Sequence, residues 1–412
     1  MAGRIRVLDA ANRTMQRLGY LKALCALVNE TETSNLESLG KRFIARVTQR
    51  IKVSPPFDDD LVEYARLRLT DSAYKSLRKT ILEGTGPAGV ELQDIYLADR
   101  SLPSSTGKLV EANWRRYPYL GTALELVKKG TYSAMTRSLV LLAETSPAEL
   151  AAFGELDKAN NPLRISAPQA AILLFCLLEN DAEVLSPLCL GILGCEHEVF
   201  DERQVGGLLP GIVRRVIAEH NKRGLTAEER DRLVVLKKTA DSVEKWKDQS
   251  YSGGGAREET IRVRLEPLCD LGLLSKPERD RFTYRVEDSL RVLVERSGEA
   301  AKIDDFLQAR FFSTFAATRQ TQVAEATDDE AVEALVKAGE ALRSSLGYSP
   351  ITDVALLAGT RLLTEHSQVL EIGRCFELLK SLQKKDPAFV RFTVDRMGAL
   401  AHVKFLKNAP GD

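Results

Sequence analysis

The chain has 412 residues, of which 44% are apolar and 28% are charged, and its 58 basic residues are balanced by 58 acidic ones. This composition is typical of a globular protein with enough apolar side chain to form cores, and it argues against long disorder and against a histone-like polycation. A nucleic-acid site would therefore be a local basic patch, balanced by acidic surface elsewhere. The length predicts about two to four domains.

No membrane segment is predicted. Residues 1–6 contain no apolar signal core, and the longest apolar stretch, Ala170–Leu178, is far shorter than the roughly 18 residues that a membrane span needs. The six cysteines show no Cys-x-x-Cys spacing and most lie in apolar helical contexts, which predicts buried free thiols. We therefore expect a cytoplasmic protein.

Helical periodicity dominates the chain, so the predicted fold class is mainly α with short β-hairpins. Leu61–Leu82 places apolar side chains at four-residue steps, with arginine and lysine between them, as in an amphipathic helix. The same pattern recurs in six further segments, which are Pro168–Leu178, Glu202–His220, Ala227–Lys247, Asp328–Ser345, Asp353–Glu365 and Gln368–Lys385.

Local signals mark where three of these helices begin. Ser166 followed by Pro168 fits an N-cap with an early proline. Thr226–Glu229 fits a capping box, and Asp328–Glu330 places acid at the positive end of a helix.

The clearest strand signal lies near the C-terminus. The alternating runs Phe389–Val394 and Ala399–Phe405 flank an Asp395-Arg396-Met397-Gly398 turn, and this pattern predicts a β-hairpin.

Breaks in the helical pattern predict four units. Proline-bearing breaks lie at Val53–Phe57 and Asn160–Pro162, and a weaker break lies at Thr321–Thr327. The glycine-rich Ser252–Ala256 is expected to be a flexible joint inside one unit. The predicted boundaries give an N-terminal helical segment of residues 1–56, followed by units 57–160, 161–320 and 321–412.

An internal repeat relates residues 115–143 to residues 262–294. Each contains an arginine-bearing helix, a Leu-Gly pair (Leu120-Gly121 and Leu271-Gly272), an apolar pair and a lysine, followed by a short aromatic strand and a Ser-Leu apolar helix. We expect each glycine to end its helix in a left-handed conformation. Residues 120–137 and 271–286 should then superpose as helix end, turn and hairpin.

This arrangement resembles the winged-helix superfamily, in which the third helix ends at Leu-Gly-Leu and a small hairpin, the wing, follows. The resemblance implies winged-helix-like modules in units 57–160, 161–320 and 321–412. The third departs from the pattern, because Asp386-Pro387 and not Leu-Gly precedes its hairpin. The pattern of helices and hairpins along the sequence is similar to that of bacterial multi-module proteins of restriction, defence or chromosome-handling systems.

The expected nucleic-acid contacts are basic residues on each third helix and wing, because lysine and arginine neutralise phosphates while asparagine and arginine can read base edges. In the first unit they are Lys108, Asn113, Arg115, Arg116, Lys128 and Lys129. In the second they are Arg257, Arg262, Arg264, Lys276 and Arg285. In the third they are Arg374, Lys384, Lys385, Arg391 and Arg396, with Lys380 on the same helix.

No catalytic, metal or cofactor site is predicted. Ser104–Lys108 lacks the first glycine and the final hydroxyl of a phosphate loop, and Cys195–Glu198 has no second ligand cluster, so an exposed loop is expected there. We expect a non-enzymatic DNA-binding or adaptor subunit, with a protein partner or a second copy. The alternatives are a protein–protein scaffold whose wings dock a partner enzyme, and then an enzyme with an unrecognised site.

Overall fold

The computed structural model describes most of the C-terminal three fifths of the chain and isolated stretches before it. The described residues are 5–8, 18, 21, 24–25, 28–29, 121, 124–126, 134–142, 165–227, 229–231, 233–234, 236–237, 258–277, 283–298, 302–395 and 399–406. The predicted units 1–56 and 57–160, and the joint at 252–256, therefore lie mostly or wholly outside the described residues.

Helices account for most of the described residues, which confirms a mainly α fold. The helices are α1 (Ala134–Leu141), α2 (Ala167–Leu193), α3 (Glu202–Gly206), α4 (Leu209–His220), α5 (Glu258–Asp270), α6 (Asp288–Ser297), α7 (Ile303–Ala309), α8 (Phe311–Thr318), α9 (Asp328–Ala341), α10 (Ile351–His366) and α11 (Ile372–Lys385). Each described residue within 227–237 is also helical.

The strands are short. They are β1 (Val199–Asp201), β2 (Leu274–Ser275), β3 (Thr283–Val286), β4 (Ala324–Glu325), β5 (Ser349–Pro350), β6 (Gln368–Val369), β7 (Val390–Val394) and β8 (Leu400–Phe405).

Helix α2 lies at the centre of the described core. Its residues from Ala170 to Leu178 are all apolar and buried, and a helix that is apolar on every side is stable only when other elements surround it. The predicted start is confirmed, since Gln169 N–H donates to Ser166 Oγ at 3.3 Å and Ser166 N–H donates to Gln169 Oε1 at 3.0 Å. The predicted end at Leu178 is wrong: the polar residues that follow stay helical, because Asp181 has a buried partner described below.

The predicted single helix Glu202–His220 is two helices, α3 and α4. The chain turns at Gly207 and Leu208, where two consecutive glycines weaken the helix and Pro210 restarts it. Leu208 packs on Gly191 of α2, where an added Cβ would lie 2.3 Å from Leu208 Cδ1.

The two other predicted helix starts are confirmed. Glu229 N–H donates to Thr226 Oγ1 at 3.2 Å, and the Thr226 N–H donates back to the Glu229 carboxylate at 2.7 Å. At α9 the same reciprocal pair joins Thr327 and Glu330. In contrast, α11 begins later than predicted, since Gln368 lies in β6, which pairs in parallel with β4.

Two three-stranded sheets share one strand order. In the first the order is β1-β3-β2, and in the second it is β5-β8-β7, with antiparallel pairing throughout both. In each case a hairpin follows a helix, and an earlier short strand pairs with the hairpin's second strand. The predicted C-terminal hairpin is thereby confirmed, with Arg391 opposite Lys404 and Thr393 opposite His402.

The end of α5 follows the sequence prediction. Gly272 has a φ of 69°, which is left-handed and favours glycine. The freed carbonyls are satisfied from outside the helix, since Arg319 Nη2 donates to Leu271 O at 2.9 Å and Ser289 Oγ donates to Gly272 O at 2.5 Å. Burial lowers the pKa of Arg319.

The first copy of the repeat differs from the second. Gly121 is helical, and the left-handed residue is Glu125, with a φ of 59°. Helix α1 begins at Ala134, so the prediction that 120–137 superposes on 271–286 is wrong at residues 134–137. They are helical because Met135 and Leu139 lie one turn apart on a buried face.

Aromatic packing joins α2 to the helices that follow the first sheet. The ring of Phe311 lies 5.4 Å from that of Phe175 on α2 and 5.2 Å from that of Phe312. Phe312 in turn fills the space beside Gly359 of α10, where an added Cβ would lie 2.3 Å from Phe312 Cε2. Apolar packing therefore crosses the predicted boundary at 320, which stays a prediction.

A single carboxylate links α8 to α11. Glu371 precedes α11, and its two oxygens accept the N–H groups of Phe312 and Ser313 at 3.0 and 2.9 Å. These are unpaired donors in the first turn of α8, and the helix dipole favours a negative charge there.

None of the described helices combines the length and the apolar content that a membrane crossing requires.

We predict that Gly339→Ala destabilises the protein. Gly339 lies on the buried side of α9, and an added Cβ would be 2.4 Å from Cε2 of Phe405, whose ring is 4% exposed and has little room to move. Overpacking of this kind costs about 1–3 kcal/mol. The free energy of unfolding in urea should fall by that amount, less the alanine's gain in helix propensity of up to ~1 kcal/mol.

The matched control is Gly211→Ala in α4, where no atom lies within 4 Å of the new Cβ. It should be neutral or stabilising by up to about 1 kcal/mol. A Gly339→Ala protein as stable as the Gly211→Ala protein would contradict the packing of Phe405 on α9.

Candidate nucleic-acid interface

The predicted contacts of the first unit lie outside the described residues, as do two of the others. These are Lys108, Asn113, Arg115, Arg116, Lys128, Lys129, Arg257 and Arg396. Arg262 lies in α5, but its side chain is also outside the described part. The remaining predicted residues differ in their burial and in their ion-pair partners.

Arg264 is a structural residue, contrary to the prediction that it faces phosphate. Its side chain is 5% exposed, and its Nε and Nη2 donate to the two carboxylate oxygens of Asp181 on α2 at 2.7 and 3.0 Å. Asp181 is 1% exposed. The prediction was wrong because Arg264 lies on the face of α5 that packs against the core, where an arginine needs a buried partner.

The same ion pair holds an N-terminal segment. The N–H of Leu8 donates to Asp181 Oδ1 at 2.9 Å, and Leu8 O accepts from Arg264 Nη2 at 3.1 Å. Two residues earlier, Arg6 N–H donates to Glu183 at 2.8 Å and Arg6 Nη2 donates to Asp304 at 2.6 Å. Residues 5–8 thus bridge α2, α5 and α7.

Lys276 is also engaged inside the fold. Its Nζ lies 2.7 Å from the carboxylate of Glu266, which is 1% exposed, and 4.4 Å above the ring of Tyr284. Tyr284 Oη donates to the same carboxylate at 2.8 Å, and burial raises the pKa of this phenol well above its usual value. The group ties α5 to both strands of its hairpin, so the predicted phosphate contact at Lys276 is corrected to a structural one.

Arg285 is exposed on β3, as a wing contact would require. It stands opposite Val199 of β1 and Ser275 of β2, in the middle of the sheet's outer face.

Arg374 lies at the acidic start of α11. Its guanidinium donates to Asp328 at 2.8 Å and lies 3.9 Å from Glu325. It borders a surface cleft of about 570 Å³, which is also lined by the carboxylates of Asp305, Glu325, Glu371 and Glu377. Carboxylates repel phosphate, so this end of the helix is a poor place for the predicted contact.

The other end of α11 is different. Lys380, Lys384 and Lys385 are exposed on its last two turns, and Arg391 is exposed on the strand that follows. We call these four residues the basic edge. None of them has an ion-pair partner among the described residues.

Lys404 extends this surface and was missed from the sequence. It pairs with Arg391 across the hairpin, and its Nζ lies 5.3 Å above the ring of Tyr348. The period-two alternation of the hairpin already placed Lys404 on the outer face with Arg391 and Thr393, and that alternation could have identified it.

The region Cys195–Glu198 is an exposed loop, as predicted. Within the part of the chain that the structure describes, no three histidine, cysteine or carboxylate side chains lie together so as to hold a metal ion. All six cysteines are free thiols, as predicted, although Cys195 and Cys269 are only partly buried. Burial raises the pKa of Cys25 and of Cys189 to about 12, which keeps both protonated and unreactive at neutral pH.

Comparisons of this chain with family models, with curated proteins and with solved structures found no match.

We predict that Arg264→Met lowers the free energy of unfolding by about 3–5 kcal/mol, because it leaves the carboxylate of Asp181 buried without its cation. Urea unfolding measures this loss. The double variant Arg264→Met/Asp181→Leu should recover part of it, since no charge is then buried. Wild-type stability in the single variant would mean that Arg264 is free for another role.

A second prediction concerns acid stability. Hydrogen bonds to Glu330 from Gln368 Nε2 at 2.8 Å, Thr327 Oγ1 at 2.7 Å and Thr327 N–H at 2.9 Å lower its pKa from 4.5 to about 2. A depressed carboxyl pKa stabilises the fold above pH 4.5, and this contribution disappears as the pH falls towards 2. Wild type should therefore exceed Glu330→Gln in stability near pH 6, and the difference should shrink between pH 5 and pH 2.

Unfolding in urea across this range provides the measurement. The control is Glu340→Gln on α9, since the Glu340 carboxylate is exposed and accepts no hydrogen bond from any residue that the structure describes. For the control, the stability difference from wild type should change little with pH. If the difference for Glu330→Gln changes as little, the hydrogen bonding around Glu330 is contradicted.

Proposed function

We propose that the chain is a non-enzymatic DNA-binding or adaptor protein, and that residues 328–406 form a winged-helix-like module that holds duplex DNA through the basic edge. The order of elements supports the module. Helix α9, the short strand β5, helices α10 and α11 and the hairpin β7–β8 follow one another, and β8 lies between β5 and β7. The hairpin thus follows the third of three helices, as in the superfamily that the sequence resembles.

The unit from α2 to β3 supports the same interpretation. Its strand order is β1-β3-β2, and its hairpin follows the helix that ends at Leu271-Gly272. It departs from the simple order because α4 and the helical residues described within 227–237 lie between α3 and α5. We infer that this unit has the same arrangement of hairpin and third strand, and that Arg264 and Lys276 stabilise it.

The observation that carries the proposal is the basic edge itself. Exposed and unpaired lysine and arginine can neutralise the phosphates of a duplex, and the release of the counterions condensed on the duplex drives binding. The contrast with Arg264, Lys276 and Arg374 is informative, because those three cations already have carboxylate partners within the fold.

The position of the basic edge suits an extended polyanion. Lys384 and Lys385 end α11, and the chain then turns tightly, with Phe389 N–H donating to Asp386 O at 3.0 Å, before Arg391 emerges on β7. Cations from a helix end and from a hairpin therefore lie next to each other. The Asp386 carboxylate accepts the Ala388 N–H at 2.9 Å and stabilises this turn.

The acid-lined cleft favours a second candidate, a protein scaffold. Asp305, Glu325 and Glu377 would attract an arginine- or lysine-bearing segment of a partner and repel DNA. On this alternative the hairpins position a partner enzyme and the basic edge is a solvated surface.

We predict that Lys384→Gln/Lys385→Gln weakens DNA binding for every sequence tested. Each lost phosphate contact should reduce the slope of log affinity against log salt by about one, so the double variant should lose about two. Fluorescence anisotropy with a labelled duplex at several salt concentrations measures both quantities. Folding should be unaffected, because both side chains are exposed.

The control Lys302→Gln/Lys337→Gln removes the same charge from two exposed lysines outside the basic edge, one of which, Lys337, already pairs with Glu333. It should leave the affinity and the salt slope near those of wild type. An affinity that is unchanged in the Lys384/Lys385 variant but reduced in the control would remove the basic edge from the interface. Absence of DNA binding by the wild-type protein at low salt would favour the scaffold.

A further inference from the structure

Helix α4 is held on the core by one face. Ile212, Val213 and Val216 are buried against α2, and His220 at the end of the helix is fully buried, with its Nε2 2.6 Å from the carboxylate of Glu183 on α2. Both the rotation of the helix about its axis and its position along α2 are thereby fixed. Its opposite face always points away from the core.

That outward face combines small residues with long cations. Gly211 and Ala218 are exposed, and nothing lies within 4 Å of the position that a Cβ of Gly211 would take. Arg215 lies beside them on the helix, and the exposed Lys222 follows in the turn just after the helix ends at His220. A partner can therefore approach the helix backbone closely at the small residues. The cations beside those residues can contact the partner at the same time.

The charge on this face is strongly biased. Residues 209–224 carry four exposed cations, Arg214, Arg215, Lys222 and Arg223, against the single exposed carboxylate of Glu219. Arg215, Lys222 and Arg223 take part in no ion pair among the described residues, and even Glu219, one turn from Arg215, does not bridge to it. The chain as a whole has no net charge, so this excess is local.

We propose that this outward face of α4, which we call the α4 face, is a second binding surface for the sugar-phosphate backbone of duplex nucleic acid. The inference rests on the proposed DNA-binding function and adds a separate site to it. Small residues between cations allow a phosphate strand to lie against the helix, and the cations neutralise the phosphates on either side.

The chemistry of the face favours a duplex backbone over unpaired bases. Proteins that hold single strands stack the bases on aromatic side chains, and residues 209–224 contain no phenylalanine, tyrosine or tryptophan. The face also offers little for sequence readout, because its long side chains are the cations themselves. We therefore expect it to add affinity without adding sequence preference.

Two binding surfaces on one chain should hold a duplex more tightly than either surface alone. When both surfaces contact the same duplex, the second contact forms at high effective concentration, so the loss of either contact should then cost affinity. The α4 face and the basic edge lie on separate helices, and their substitutions can be made independently. This independence allows each site to be tested without assuming the other.

The experiment uses the full-length chain and a fluorescein-labelled duplex of mixed sequence, titrated by anisotropy between about 50 and 200 mM salt. Arg215→Gln/Lys222→Gln should weaken binding and reduce the salt slope by about two. Glu219→Gln is the matched control on the same face, and it should raise the affinity because it removes the only carboxylate there. Circular dichroism and urea unfolding should match wild type for both, since all three side chains are exposed.

The outcomes separate the two proposals. If Lys384→Gln/Lys385→Gln loses affinity and Arg215→Gln/Lys222→Gln does not, the α4 face is refuted and the proposed function stands. If only Arg215→Gln/Lys222→Gln loses affinity, the α4 face stands and the basic edge is refuted. If wild type binds vesicles rich in phosphatidylserine but not the duplex, and the α4 variant loses that binding, a nucleic-acid partner is overturned.

Discussion

The buried ion pair between Asp181 and Arg264 is the interaction on which the rest of the described fold depends. It joins α2, the central helix, to α5, the helix that leads into the first hairpin. It also binds the backbone of Leu8, so a segment from the start of the chain is part of the same network. A charge pair this deep is stable only if every polar atom near it has a partner, and the backbone of Leu8 supplies two of them.

Side chains from distant parts of the chain also form hydrogen bonds with the backbone groups at the ends of two helices. Arg319, just after α8, donates to the carbonyl of Leu271, just after α5. Glu371 accepts N–H groups from the first turn of α8. Each contact satisfies backbone groups that a helix cannot satisfy by itself. Together they connect the first sheet's helix to α8 and α8 to α11 without relying on apolar contact alone.

The sequence predicted those features of the fold that are determined by interactions between residues close together in the chain. The capping box at Thr226, the N-cap at Ser166, the left-handed Gly272 and the C-terminal hairpin depend on a few neighbouring residues, and all are confirmed. The sequence could not predict which cations are free. Arg264 and Arg285 are both arginines near the same hairpin, yet one is buried and the other exposed, because exposure depends on what packs against each face.

The same limit explains the other differences. The end of α2 depends on the distant partner of Asp181, and the acidic cleft near Arg374 brings together carboxylates from separate elements, which no local pattern contains. The outward cations of α4 were visible in the sequence. They became significant only when the fold showed that Ile212, Val216 and His220 fix the opposite face to the core.

The carboxylate of Glu371 has a mechanical consequence. Because it stands at the start of α11 and holds the first turn of α8, a load applied to the far end of α11 is transmitted along the helix to α8 and then to Phe312 and the aromatic core. A force on α11 is therefore shared with α8 through two hydrogen bonds as well as through apolar packing. A long, stiff ligand held at Lys384 and Lys385 would pull on α8 as well as on α11.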